Sequence, residues 1–240
     1  MKITDLTREA RKYLPLGYCG AVIVAAGSAS RMGGIDKVMA KLKGEPVIVH
    51  TVRAFQNSDV IQEIVIVTRQ DLVQPVRELC SGFNKVKTVV VGGNSRTESV
   101  QNGLSALSED IKLAAIQDGA RPLISAQVID RTVRAANSYG AAAPAIPVKD
   151  TIKQVQGGVV TQTPDRSLLR AVQTPQVFDV DILRGALIKA RDSKSEITDD
   201  CSAVERMGMS VKIVEGEERN IKITTPVDLK VAQLLMEEEA

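Results

Sequence analysis

Tryptophan is absent from this sequence, and three tyrosines with three phenylalanines bring the aromatics to only 2% of 240 residues. So few flat rings leave almost no surface on which single-stranded bases could stack. The net charge of +2 is too small for an extended contact with a phosphate backbone, so nucleic acid is not an expected partner. Histidine occurs once, as His50, and the three cysteines, Cys19, Cys80 and Cys201, are far apart with no CxxC pair. That scarcity argues against a disulfide framework and a zinc site, and leaves His50 as the sole candidate for any histidine chemistry. His50 sits in "PVIVHTVRAF", helical in pattern after Pro46, where a plain structural role is expected. No apolar run approaches the roughly 18–20 residues of a membrane span, so no membrane is expected as a partner. The start, "MKITDLTREARKYLPLGY", carries acidic residues and no apolar core. It reads as an amphipathic helical extension over residues 1–19 rather than a signal peptide, which points to the cytoplasm.

What is present is ordinary for a globular chain: 44% hydrophobic and 25% charged residues. Apolar β-type runs, "AVIVAAG", "EIVIVTR", "TVVVGG", "KLAAIQDG" and "AAAPAIPV", alternate with helically patterned segments such as "RTESVQNGLSAL" and "SAQVIDRTVRAANSYG". This alternation predicts one α/β domain over residues 20–240, a Rossmann-like, mostly parallel sheet with helices on both faces. From residue 147 the pattern changes to Thr-, Gln- and Val-rich sequence with Gly157 and Gly158 in its middle, which predicts two extended runs joined by a tight turn. A hairpin over residues 149–171 that projects from such a body cannot bury both faces alone, so a second subunit is expected to cover it.

On sheets of this kind ligands bind beyond the carboxyl ends of the strands. That rule selects residues 27–37, 92–97 and 118–121. The first of these lies in "AVIVAAGSASRMGGIDKV", a glycine-containing loop after a strand, the kind of place where backbone N–H groups meet phosphate oxygens. It fits neither the Walker pattern, because Lys37 is followed by Val38, nor the dinucleotide fingerprint, because Ala29 and Met32 stand where glycines are needed. Strand-end residues Arg31, Lys37, Arg96, Ser99, Asp118 and Arg121, with Lys222 and Thr224 in the later "NIKIT", offer fixed cations, small hydroxyls and one carboxylate. Such a set suits a polyphosphate with one Mg²⁺ ion, which takes one or two carboxylates plus phosphate oxygens. No covalent nucleophile is evident. Attack of one phosphate on another needs none, because a phosphate monoester with a second pKa of about 6 is already ionised at neutral pH.

"AAGSASRM", Lys37, "GGNSRTESV", "QDGARP", "PVKDTIK", "PDRSLLRAVQTPQVF", "ITDD" and "NIKITTPVDL" occur in an order and spacing that resembles the 2-C-methyl-D-erythritol 4-phosphate cytidylyltransferases of the non-mevalonate isoprenoid pathway. The resemblance covers residues 20–235. It implies transfer of CMP from CTP to a small polyol phosphate, with release of pyrophosphate. Arg31, Lys37 and Lys222 would act on the reacting phosphates, and Ala25, Ala26, Gly27, Gly93, Ser99 and Asp118 would bind CTP, with Asp118 also serving Mg²⁺. Arg121, Thr151, Arg166, Thr174, Thr198 and Lys222 would bind the polyol phosphate, Thr151 and Arg166 arriving from the hairpin of a homodimer partner.

The sequence departs from the family pattern at Ala29 for a loop glycine, at Asp36 for the proline before the loop lysine, in "KVMA", at Asn94, and at Gln117 and Gly119. Two other readings stand beside the first: the sister activity on D-ribitol 5-phosphate, and a nucleotide-binding regulator that keeps the fold without turnover. Plain roles are also open to single residues. Thr198 or Asp199 could cap a helix, and Arg166 or Lys153 could be edge-strand charges.

Overall fold

The computed structural model describes residues 16–27, 36–192 and 197–237. Arg31, Ala29 and most of the expected N-terminal extension lie outside the described residues. The chain enters the sheet through β1 (Cys19–Ala25). A small hairpin, β2 (Lys41–Leu42) and β3 (Glu45–Pro46), precedes α1 (Val47–Gln56). The regular alternation then follows: β4 (Ile61–Thr68), α2 (Val73–Leu79), β5 (Val86–Val91), α3 (Arg96–Ala106), β6 (Leu113–Asp118), α4 (Ala126–Tyr139) and β7 (Ala141–Pro147). The five apolar runs of the sequence are these five strands.

β1 pairs in parallel with β4 on one side and β6 on the other, and β4 pairs in parallel with β5. The sequence order therefore reverses between β1 and β6, and a crevice opens there at the carboxyl ends. Alternation along β1 sends Ala21, Ile23 and Ala25 to one face and Val22 to the other. The first face is covered by α1, α2 and α4, with Ile48, Phe55, Val76 and Val133 buried. The second is covered by α3 through Val100 and Leu104. Each such fully buried aliphatic or Phe side chain contributes about 1.5–3 kcal/mol of transfer free energy. His50 is part of this packing: it is buried, and its Nε2–H donates to the Leu42 carbonyl at 2.8 Å. Cys19, Cys80 and Cys201 are free and buried.

The expected hairpin over residues 149–171 is shorter than its sequence suggested. Only β8 (Gln154–Gln156) and β9 (Val159–Gln162) pair with each other, around Gly157 and Gly158 at φ of 56° and 80°. Two successive left-handed residues are what a two-residue turn between twisted strands requires. The rest of the segment returns to the body. β10 (Arg170–Val172) lies antiparallel on β7, and β11 (Gln176–Asp179) is inserted antiparallel between β6 and β7. α5 (Val180–Asp192) and α6 (Asp200–Glu205) then pack on the second face through Leu183, Leu187 and Val204. β12 (Lys212–Glu215) pairs in parallel with β7, and α7 (Pro226–Glu237), opened by Pro226, reaches the first face through Ala232. Among the described residues no helix is long and apolar enough to cross a membrane.

Candidate active site

A cavity of about 340 Å³ opens at the carboxyl ends of β1 and β6, beside the loop that follows β5. Ala25, Ala26, Gly27, Lys37, Gly93, Ser99, Asp118 and Lys222 all line it, together with Asn94, Arg96, Gly119 and Ala120. Three separate turns meet there, each held by bonds its own sequence supplies.

The loop between β5 and α3 is the first. Ser95 caps α3 by accepting the Glu98 N–H (3.1 Å), and Glu98 reaches back to accept the Asn94 N–H (2.6 Å). Ser99 is buried, donates to the Ser95 carbonyl (2.9 Å) and accepts the Gly93 N–H (3.1 Å). Its hydroxyl thus holds the loop as well as facing the cavity. A Cβ on Gly92 would stand 2.5 Å from the Ala26 Cβ and 2.8 Å from the Ser99 Oγ, so only glycine lets this loop close against the end of β1.

The second is the "NIKIT" turn. Its Ile223 N–H donates to the Ala120 carbonyl (2.8 Å), and the Asn220 carbonyl accepts from Arg121 Nη1 (2.7 Å). The Asn220 side chain donates to the Thr174 carbonyl (2.9 Å). These bonds stitch the turn to the end of β6 and bring Lys222 Nζ to 2.8 Å from Asp118 Oδ2. Thr224 is spent elsewhere: its hydroxyl donates to Asp228 (2.8 Å) in the cap of α7.

The third is the turn that carries Lys37. Lys37 lines the same cavity as Asp118, and its Nζ lies 3.5 Å from where a Cβ on Gly27 would be.

Asp118 is the electrostatic centre. Besides Lys222, Arg121 Nε lies at 3.6 Å and Arg96 Nη2 at 4.0 Å from its carboxylate. Burial by itself would raise its pKa, but the charges of Lys222, Arg96 and Arg121 outweigh burial and hold the carboxyl below the ordinary value. Arg96 is in turn held by Asp200, with Nη1 at 2.7 Å from Oδ2. Asp200 is fully buried, and that burial pushes its carboxyl above the ordinary value despite the opposing guanidinium. The sequence marked Arg96 as one of the strand-end cations of a polyphosphate site and did not mark Asp200 as its partner. A second carboxylate at the start of a helix has no local feature that points to an arginine over a hundred residues away.

The expected substrate residues separate into two groups. Arg121 and Thr174 do not line the cavity themselves but hold Asp118, which does: Arg121 Nε lies 3.6 Å from its carboxylate, and Thr174 is buried with its Oγ1 accepting the Asp118 N–H (3.2 Å). Thr198, Thr151 and Arg166 are exposed and do not line it. Thr198 stands just before Asp199, and its N–H donates to Ser202 (3.2 Å), while Asp199 caps α6. Arg166 donates to the Lys149 carbonyl of its own chain (2.6 Å) at the base of the hairpin.

Among the described residues no three His, Cys, Asp or Glu side chains gather as a metal cage. Asp118, ionised and facing the cavity, fits a hard cation shared with phosphate oxygens.

Residues 19–238 match the family model described as 2-C-methyl-D-erythritol 4-phosphate cytidylyltransferase. The chain belongs to this family. It is 44% identical over 221 residues to the enzyme of that name from Caldanaerobacter subterraneus subsp. tengcongensis, covering 90% of this chain and 97% of the relative. It is 46% identical over 221 residues to the one from Symbiobacterium thermophilum, covering 91% and 93%. Among solved structures, 4-diphosphocytidyl-2C-methyl-D-erythritol synthase from Anaerococcus prevotii superimposes with a TM-score of 0.84 at 31% identity, over 92% of this chain and 96% of that one.

Proposed function

We infer that the protein transfers CMP from CTP to 2-C-methyl-D-erythritol 4-phosphate, giving 4-diphosphocytidyl-2-C-methyl-D-erythritol and pyrophosphate. The observation that carries this reading is the cluster of Lys222, Arg96 and Arg121 around Asp118, at a cavity that Lys37 also lines, in a chain of this family. A phosphate oxygen of the polyol phosphate forms a bond to the α-phosphorus of CTP, and the bond to pyrophosphate breaks. The attacking oxygen is already ionised, so the protein supplies alignment and positive charge rather than a base. Lys37 and Lys222, with Arg31, neutralise charge on the reacting phosphates. Ala25, Ala26, Gly27, Gly93 and Ser99 shape the bed for the nucleotide, and Arg121 receives the polyol phosphate beside Asp118, which Thr174 holds from behind, with Thr198 reaching it from outside the cavity. Asp118 would hold Mg²⁺ jointly with phosphate oxygens, which spreads the triphosphate's charge.

The working unit is a homodimer built on the hairpin. Val155, Val159 and Val160 on β8 and β9 are more than half exposed, and Leu168 is 79% exposed. Arg166 and Thr151 have no place at their own chain's cavity, so they serve the partner's. The cytoplasm, a reducing compartment, suits three buried free thiols.

Pyrophosphate release measured with CTP, UTP and ATP against both polyol phosphates tests the reading. Release is expected only with CTP, a divalent cation and methylerythritol phosphate together. Faster turnover with D-ribitol 5-phosphate would overturn the substrate assignment.

A further inference from the structure

We propose that Asp36 and Arg69 form a latch, an ion pair that restrains the turn carrying Lys37 and so positions that lysine. Residues 36–40 make a tight turn: the Asp36 carbonyl accepts the N–H groups of Met39 (3.2 Å) and Ala40 (2.8 Å). Asp36 uses both carboxylate oxygens. Oδ1 accepts the Val38 N–H (2.9 Å), and Oδ2 pairs with Arg69 Nη1. Arg69 follows directly on β4, and Asp71 fixes the plane of its guanidinium by accepting from Nε (3.1 Å) and Nη2 (3.0 Å). That fork leaves Nη1 aimed at Asp36.

The far end of the same turn is anchored differently. α1 has no side-chain cap, and its first N–H groups, Val47 and Ile48, donate to the carbonyls of Ala40 and Val38 (both 2.9 Å). Lys37 is therefore carried between two fixed points, the end of β4 and the start of α1, and its side chain lines the cavity. A proline before the lysine would restrict the turn through its ring. Asp36 achieves a comparable restriction through bonds that can be broken one at a time. The pair is partly shielded, with side chains 17% and 32% exposed, so solvent screens it less than a surface pair.

Arg69 is a positioning residue, and its effect on turnover rests on the cytidylyl-transfer reading, whereas its effect on the turn does not. Two measurements on the full-length protein separate them. Hydrogen exchange of the Val38, Met39 and Ala40 amides should quicken about fivefold in Arg69→Gln, the size expected of one partly shielded ion pair, with β1 and β6 unchanged. Asp36→Asn, which keeps an acceptor for Val38 and loses the charge, should do the same. In pyrophosphate release, kcat of Arg69→Gln should fall about fivefold with KM for CTP within about twofold, and Arg69→Lys, which keeps the charge but not the fork, should recover only part of the loss. In a Lys37→Ala background Arg69→Gln should cost nothing further. Unchanged exchange in both variants overturns the latch. An undiminished loss in the Lys37→Ala background, or wild-type kcat in Arg69→Gln, overturns its action through Lys37. Faster exchange in a protein whose wild type releases no pyrophosphate upholds the latch and overturns the functional reading instead.

Discussion

The cavity and the hairpin arm each carry an arginine expected to serve the same substrate, and the molecule treats the two in opposite ways. Arg121 is largely buried, pinned between Asp118 and the Asn220 carbonyl. Arg166 stands in solvent with one bond to the Lys149 carbonyl, in a short turn (Arg166–Leu168) that follows a hairpin whose two strands pair with each other and not with the main sheet. Around Asp118, burial and opposite charge fix each side chain's position, so position and partner together define a role. On the arm nothing within the chain compels a position. An element with Val155, Val159 and Val160 exposed is completed from outside or not at all.

That contrast can be broken most severely at its centre. Asp118→Ala leaves Lys222, Arg96 and Arg121 without their shared carboxylate, and kcat/KM should fall by about a thousandfold. Lys37→Ala or Lys222→Ala should lower kcat by about a hundredfold with a smaller effect on KM for CTP, as expected for charge stabilised in the transition state. Steady-state kinetics with all three variants checks the order. On the arm, Arg166→Ala should mainly raise KM for the polyol phosphate and leave the unfolding transition of the chain where it was. Gly92→Ala, which pushes a methyl into Ala26 and Ser99, should raise KM for CTP about tenfold by displacing the loop. Equal KM for CTP in that variant would mean the loop does not shape the nucleotide bed.

The smallest effect concerns stability against pH. The Asp118 carboxyl is held below its ordinary value, so the stability it contributes is present in full above the unfolded value of about 3.9 and is lost as pH falls through the lower folded value. The stability gap between wild type and Asp118→Asn, read by urea unfolding, should be widest near neutrality and narrow below about pH 4. A gap that stays constant would mean that the surrounding cations do not favour the ionised form.

The same contrast marks what was legible in the sequence. Period-two and period-3.6 patterns are local, so β1, β4, β5, β6 and β7 and the helices between them could be read directly, as could the strand ends that hold Lys37, Gly93 and Asp118. Residues 166–179 could not. Whether Arg170–Val172 and Gln176–Asp179 extend a hairpin or enter the main sheet depends on vacant edges of β6 and β7, which no local pattern records. The small hairpin of Lys41–Leu42 and Glu45–Pro46, just ahead of the helix readable after Pro46, was likewise not legible, since two-residue strands leave no periodic pattern. Asp200 was invisible for the same reason, since its partner Arg96 is distant in sequence. Asp36 read as a departure from a pattern, and only the fold reveals Arg69 beside it.

The central claim is that a complete site joins one chain's cavity to another chain's arm, and mixed dimers test it most directly. An Arg166→Ala chain co-expressed with a Lys37→Ala chain, assayed at polyol phosphate well below KM where each alone is severely impaired, gives mixed dimers in which one site keeps Lys37 and receives an intact Arg166, while the other lacks both. Random pairing makes about half of the dimers mixed, so activity should return to about a quarter of wild type in a twofold dimer. No recovery in a preparation shown to contain mixed dimers would contradict the account, because Arg166 would then act within its own chain or not at all.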